Sequence, residues 1–202
     1  MFVCTFRYKP EHVACHLCME YSRTQGCTLP VCPWLAERIE AGVVGYQEAV
    51  MGTIPRHRLI APRLQVLIAS FPGSLWRDER HQERMECAKA RLGYYRHRDT
   101  PAFYAALFLL TSSAELWKRT ANCFYRQGFE PAYAVLSGIS PHDYALFYAA
   151  KGLYRGAGSP MAMDLADPDI VDAEAFRMIV NATLIARYGL SVLDIRTRRA
   201  RV

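Results

Sequence analysis

The chain lacks the long apolar run that a membrane-spanning helix needs. Its longest apolar stretch, residues 102–110, is well short of the roughly 20 residues that cross a bilayer. The first residues contain no basic stretch followed by an apolar core, so we expect no secretory signal. These absences predict no membrane partner and favour the cytoplasm, a reducing compartment where disulfides are rare.

Sequence motifs of common catalytic sites are also missing. The chain contains no His-Glu-x-x-His, no phosphate-binding loop and no Gly-x-Ser-x-Gly. His81-Gln-Glu83 has the spacing of the zinc deaminase signature, but it follows the cysteines instead of preceding them. These absences favour a binding protein over an enzyme. The alternative is a zinc-assisted hydrolase or nuclease, with His16, His81 or a carboxylate beside an open metal position.

Cysteine, by contrast, is concentrated in one short stretch, as Cys15, Cys18, Cys27 and Cys32. The first two have the Cys-x-x-Cys spacing of a tight turn that presents two thiolates to one ion, and the second pair closes a tetrahedral site. We therefore predict a structural zinc ion held by these four residues. Reduced thiols without metal, or a redox pair, are the alternatives. Cys4 and His16 are substitute ligands, whereas Cys87 and Cys123 fall in helical patterns and suit a core.

Positive charge is moderate, at a net +6, and it is unevenly distributed. Arginines interleaved with aromatic residues can hold phosphates while the rings stack on bases. A solvated face and amphipathic helix ends explain the same pattern. The residues that form the candidate nucleic-acid surface are Arg91, Tyr94, Tyr95, Arg96, Arg98, Arg196, Arg198, Arg199 and Arg201.

Beyond the cysteines nearly every segment has a helical pattern. Four residues suit helix N-caps, namely Asp78, Thr100, Ser140 and either Ser112 or Ser113. A fifth helix is expected to start at Asp172, and Gly93, Gly128 and Gly189 are expected to end helices. Residues 103, 106, 107 and 110 recur with the spacing of one buried face, and Tyr144, Phe147 and Tyr148 are expected to point inward.

The predicted fold is therefore mainly α, a helical bundle with a small N-terminal zinc-binding segment. Alternation of Phe2, Cys4 and Phe6 indicates a short strand over residues 2–8, and Pro33 suits the first turn of a helix over residues 33–41. A strand, a metal loop and a helix would fit a treble-clef or ribbon-like module. We expect a cysteine-rich region over 1–72, a helical bundle over 73–195 and a basic tail over 196–202.

The stretch from about residue 76 to residue 189 resembles an uncharacterised family of helical proteins found in Firmicutes genomes and their mobile elements. The residues that carry the resemblance are His81, Arg84, the runs 100–111, 138–140 and 144–154, Asn181-Ala and Arg187-Tyr-Gly189. The N-terminal stretch, with Cys32-Pro-Trp-Leu-Ala-Glu-Arg-Ile39, looks like small cysteine-bearing modules of conjugative and phage-like elements. The resemblance implies an α-helical fold and a bacterial mobile-element setting, with no assigned activity.

Taken together, the sequence predicts a zinc-stabilised, non-enzymatic binding protein of the bacterial cytoplasm. It would act through contacts with protein or nucleic acid. An inhibitor of a host defence nuclease is an alternative, although such inhibitors commonly present acidic surfaces and this chain is basic.

Overall fold

The structure, a computed structural model, describes residues 6–27, 29, 31–54, 57–156 and 162–195. It is mainly helical, as the sequence predicts, with two short β-hairpins. Over these ranges no helix is both long enough and apolar enough to cross a membrane. The helices are α1 (Leu35–Glu40), α2 (Tyr46–Thr53), α3 (Ala61–Ala69), α4 (Glu79–Leu92), α5 (Pro101–Thr111), α6 (Ala114–Thr120), α7 (Pro141–Arg155), α8 (Ala162–Ala166) and α9 (Ala173–Tyr188).

Helix α5 is the centre of the bundle. It packs most extensively against α7 and α9, and also against α4 and α6. Every residue from Ala105 to Thr111 is buried, so the helix is covered on all sides and not on one face as the spacing predicted. A helix that is apolar all round is expected to be surrounded in this way.

The carboxyl end of α5 is held by a basic side chain from α4. Arg84 donates from Nε to the Thr111 carbonyl at 2.7 Å and from its terminal nitrogen to the Ser112 carbonyl at 2.8 Å. These carbonyls have no partner within the helix, and a cation there also offsets the negative end of the helix dipole. Arg84 therefore fixes the charged helix α4 to the end of α5.

Most of the predicted helix ends are confirmed. The side chains of Asp78, Thr100, Ser113, Ser140 and Asp172 each accept a hydrogen bond from a backbone N–H in the first turn of the helix that follows. Gly93 and Gly189 end α4 and α9 at φ values of +60° and +76°, a region that favours glycine. These signals are local, which is why the sequence alone predicts them.

The predicted end of α6 at Gly128 is wrong. The helix stops at Thr120, and the chain then forms a hairpin from β3 (Phe124–Tyr125) and β4 (Gly128–Phe129). Phe124 and Phe129 are cross-strand partners whose rings stack at 4.6 Å, and both are buried. Burying this aromatic pair outweighs the helical spacing that precedes it.

One hydrophobic core extends across residue 72, where the cysteine-rich region is expected to give way to the helical bundle. Buried residues from α1 and α2, including Leu35 and Tyr46, belong to the same hydrophobic cluster as Phe103 of α5. The Tyr46 ring also stacks on Phe71 at 3.9 Å. A division at residue 72 therefore does not separate two cores.

The segment before α1 differs from everything that follows it. None of its described residues from 6 to 34 is buried. Its regular structure is two 3-10 turns, Pro10–Val13 and Cys15–Leu17, and a hairpin of β1 (Tyr21–Ser22) and β2 (Gly26–Cys27). The strand predicted over 2–8 falls partly outside the described residues, and residues 6–8 form none; the Phe6 ring there packs against Tyr8 and His12.

Candidate functional site

The four clustered cysteines occupy three successive elements of the N-terminal segment. Cys15 and Cys18 flank one 3-10 turn, closed by a hydrogen bond from the Cys18 N–H to the Cys15 carbonyl at 2.9 Å. Cys27 lies on β2 opposite Tyr21, and Cys32 precedes the first turn of α1. The order of a tight turn, a hairpin and the start of α1 brings the four cysteines to one cavity.

All four thiols line the same cavity, of about 720 Å³. None of them forms a disulfide. As the side chains stand, the described residues include no group of three His, Cys, Asp or Glu that could hold a metal ion. The donor chemistry and the shared cavity suit zinc, and a coordination sphere would require the four sulfur atoms to draw together.

Apolar side chains surround this cavity and are open to solvent. Leu17, Met19, Val31 and Trp34 line its wall, and each is about half exposed or more. Exposed apolar residues that cluster in this way typically mark a surface that contacts another molecule. The N-terminal segment therefore combines a thiol cluster with an apolar surface.

Arg38 and Glu48 complete the wall, and sequence reasoning missed both. Arg38 of α1 donates to Glu48 of α2 from both terminal nitrogens, and its side chain is 16% exposed. Burial acts to lower the pKa of Arg38, but contacts with the Cys32 side chain and with the Glu48 carboxylate raise it above its ordinary value. No sequence signal could have paired these residues, because α2 was not predicted.

Of the other cysteines that the structure describes, neither Cys87 nor Cys123 lines the cavity, and His16 does not line it either. Cys123 is buried, and burial together with the charge of Glu130 raises the pKa of its thiol to about 11, as suits an inert core residue. Cys87 is exposed on α4, so its prediction as a core residue is wrong. His16 is exposed within the turn between Cys15 and Cys18, and Cys4 lies outside the described residues.

The candidate nucleic-acid surface is only partly exposed. Tyr94 is 82% exposed, Arg96 is exposed and Tyr95 is half-buried. Arg91 is exposed but reaches the Ala121 carbonyl at 3.2 Å. The tail residues Arg196, Arg198, Arg199 and Arg201 lie outside the described residues.

Arg98 does not belong to that surface, which corrects the prediction. It is buried, and its Nε donates to the Asp99 carboxylate at 2.7 Å while its terminal nitrogens donate to the carbonyls of Leu92 and Gly93. Its guanidinium lies 4.9 Å from the Phe103 ring centroid. Arg98 closes the end of α4, and none of these contacts leaves it free for a phosphate.

Other arginines also donate to backbone carbonyls within the fold, so they are not free to bind a polyanion. Arg63 donates to the carbonyls of Leu165 and Val171, both at 2.6 Å, and Arg119 donates to the Ser137 carbonyl. Much of the arginine content thus closes loops and helix ends. The net charge of +6 therefore overstates the surface available to a polyanion.

His81 is not a solvated helix residue and does not lie in the cysteine cavity. It is fully buried, with Nε2–H donating to the Phe108 carbonyl at 2.8 Å and Nδ1 accepting from the Arg77 N–H at 3.2 Å. Burial lowers its pKa to about 3, so the ring is neutral. His81 joins α4 to α5, and this removes it from the proposed hydrolytic site.

Comparison of the chain with protein-family models, with curated proteins and with solved structures gives no match.

Proposed function

We propose that this chain is a non-enzymatic binding protein whose N-terminal segment is clamped by one zinc ion on Cys15, Cys18, Cys27 and Cys32. The observation that carries the proposal is that these four thiols line one cavity in a segment with no buried residue among those described. A hairpin with only two residues in each strand is marginally stable in water, and a small segment without a buried core usually needs a cross-link such as a disulfide or a metal ion. Zinc bound by four thiolates is a cross-link of this kind that persists in a reducing compartment.

The binding role follows from what surrounds the cavity. A structural ion is closed off by its four protein ligands, so it supplies stability and no chemistry. The exposed apolar side chains Leu17, Met19 and Trp34 would then be presented on a fixed frame to a protein partner. A bacterial mobile element or phage is the proposed setting, and the bacterial cytoplasm the proposed location.

A second candidate partner is nucleic acid, favoured by the exposed pair Tyr94 and Arg96 beside Arg91. An aromatic ring can stack on a base while arginines hold the backbone phosphates. Since Arg98 is buried and its side chain donates to Asp99, this surface is smaller than the sequence predicted. Inhibition of a defence nuclease would be one use of either surface.

The zinc proposal is tested by counting metal in the full chain purified from zinc-supplemented cells. We expect one zinc per chain, its loss in Cys15→Ser, and its retention in the matched control Cys87→Ser, whose thiol is exposed outside the cavity. Full occupancy in Cys15→Ser would remove the proposal.

The partner class is tested separately by capture from a bacterial lysate with and without nuclease treatment. A captured protein that survives nuclease, and is lost in the double variant Met19→Ser with Trp34→Ser, supports the protein-binding role. Capture that nuclease abolishes supports the nucleic-acid candidate instead.

A further inference from the structure

One side chain on the wall of the cysteine-lined cavity has an unused donor. Arg38 gives both of its terminal nitrogens to Glu48, which fixes the plane of the guanidinium. Its third nitrogen, Nε, is buried and has no hydrogen-bond partner. A buried N–H without an acceptor is unfavourable, and native structures generally satisfy such groups. The Arg38 Nε–H is therefore a buried donor without an acceptor, on a residue that lines the cavity.

The neighbours of the guanidinium indicate what that acceptor is. Arg38 lies beside the Cys32 side chain. Both residues line the same cavity. A thiolate sulfur accepts hydrogen bonds, and a zinc ion with four thiolates carries a net charge of −2 that a nearby cation offsets.

We propose that Arg38 is a positioning residue of the thiolate site, donating its Nε–H to the Cys32 sulfur and balancing the charge of the bound metal. The inference rests on the proposed zinc site. Glu48 supports this role, because its two carboxylate oxygens accept from both terminal nitrogens of Arg38 and so fix the plane of the guanidinium. Partners of this kind orient metal ligands, and their loss typically weakens metal affinity by about 10- to 100-fold.

The test measures zinc affinity of the full chain by competition with a chromophoric chelator at fixed pH. Arg38→Lys keeps the positive charge but removes Nε and the planar fork, and we expect affinity about 10- to 100-fold weaker. Glu48→Gln leaves Arg38 in place but loosens its anchor, and a smaller loss in the same direction is expected. Arg63→Lys is the matched control, since Arg63 is also partly buried but donates to carbonyls away from the cavity, and its zinc affinity should not change.

Two further readouts separate a positioning role from a merely structural one. Bound Co²⁺ should show the same thiolate charge-transfer intensity in Arg38→Lys as in the wild type, because all four ligands remain. Metal-free Arg38→Lys should still unfold cooperatively, with a loss of stability limited to its weakened contact with Glu48. Failure of the wild type to bind zinc tightly would overturn the zinc site and this role together. Tight binding that both Arg38→Lys and Glu48→Gln retain within threefold would overturn the role of Arg38 alone.

Discussion

The Tyr46 hydroxyl donates a hydrogen bond of 2.7 Å to Oδ1 of Asn181, and Nδ2 of Asn181 donates to the Leu75 carbonyl at 2.8 Å. Both side chains are buried. A residue of α2 is thereby joined to the middle of α9, 135 positions later in the chain. Because a buried polar group is costly unless it is paired, this contact fixes how the first part of the chain sits on the bundle.

Removing the hydroxyl should therefore destabilise the whole protein. In Tyr46→Phe the Asn181 oxygen is left buried without its donor, and we expect a loss of about 1–3 kcal/mol in the free energy of unfolding measured with urea. Tyr188→Phe is the control, since its hydroxyl contacts Thr53 in a half-buried position where water can substitute, and its loss should be smaller. Equal losses in the two variants would contradict the role assigned to the buried bond.

The buried His81 predicts a specific pH dependence of stability. Its pKa is about 3 in the folded protein and 6.5 in the unfolded chain, so between these values the unfolded state binds one more proton. The contribution of His81 is fully present above pH 6.5 and is lost as the pH falls toward 3, by about 1.4 kcal/mol per unit.

The measurement is the urea unfolding free energy at several pH values from 7 to about 4.5. His81→Gln removes the titration, so its stability should depend less steeply on pH than that of the wild type, whatever its absolute value. A His81→Gln slope that equals the wild-type slope would show that another group causes the acid sensitivity.

Substitution of Arg98 should destabilise the protein strongly, whereas substitution of Arg96 should hardly change its stability. Arg98→Ala leaves the Asp99 carboxylate, whose side chain is 3% exposed, without its cation, and we expect a loss of about 3–5 kcal/mol in unfolding free energy. Arg96→Ala changes an exposed residue and should alter stability by no more than about 0.5 kcal/mol.

If the second candidate function holds, Arg96→Ala should instead weaken binding to single-stranded DNA and reduce its dependence on salt concentration by about one counterion. Fluorescence anisotropy with a labelled oligothymidine at several salt concentrations measures this. Unchanged affinity and salt slope in the variant would remove Arg96 from the candidate surface.

The parts of the fold that sequence could predict are those determined by neighbouring residues. The caps at Thr100 and Ser140 and the glycine at 93 act within one turn, so their residue types suffice to place them. The burial of His81 depends on Phe108, 27 positions away, and no spacing rule reports that contact.

The side chains of α7 show the same limit in another form. Tyr144, Phe147 and Tyr148 share a helical spacing that predicts a common buried face, yet only Phe147 is buried and both tyrosines are about half exposed. Helical periodicity gives the relative directions of side chains, whereas the width of the covered stripe depends on the helices that pack against it. The candidate site shows the same limit. Cysteine spacing is enough to predict that the four thiols act together, whereas the contact between Arg38 and Glu48 depends on how α1 packs against α2.

Metal removal should act on the N-terminal segment and spare the bundle. The hydrogen bonds from the Cys18 N–H to Cys15 and from the Tyr21 N–H to Cys18 lie within a segment whose described residues are all at least partly exposed, so the proposed ion would be its main constraint. Amide hydrogen exchange read by mass spectrometry should show rapid exchange over residues 6–34 after chelation, with α5 and α9 still protected by the core. The metal-free Cys15→Ser protein should match the chelated wild type, and Cys87→Ser with zinc should match the untreated one. Exchange over 6–34 that chelation leaves unchanged would show that the segment is held by its own contacts and not by metal.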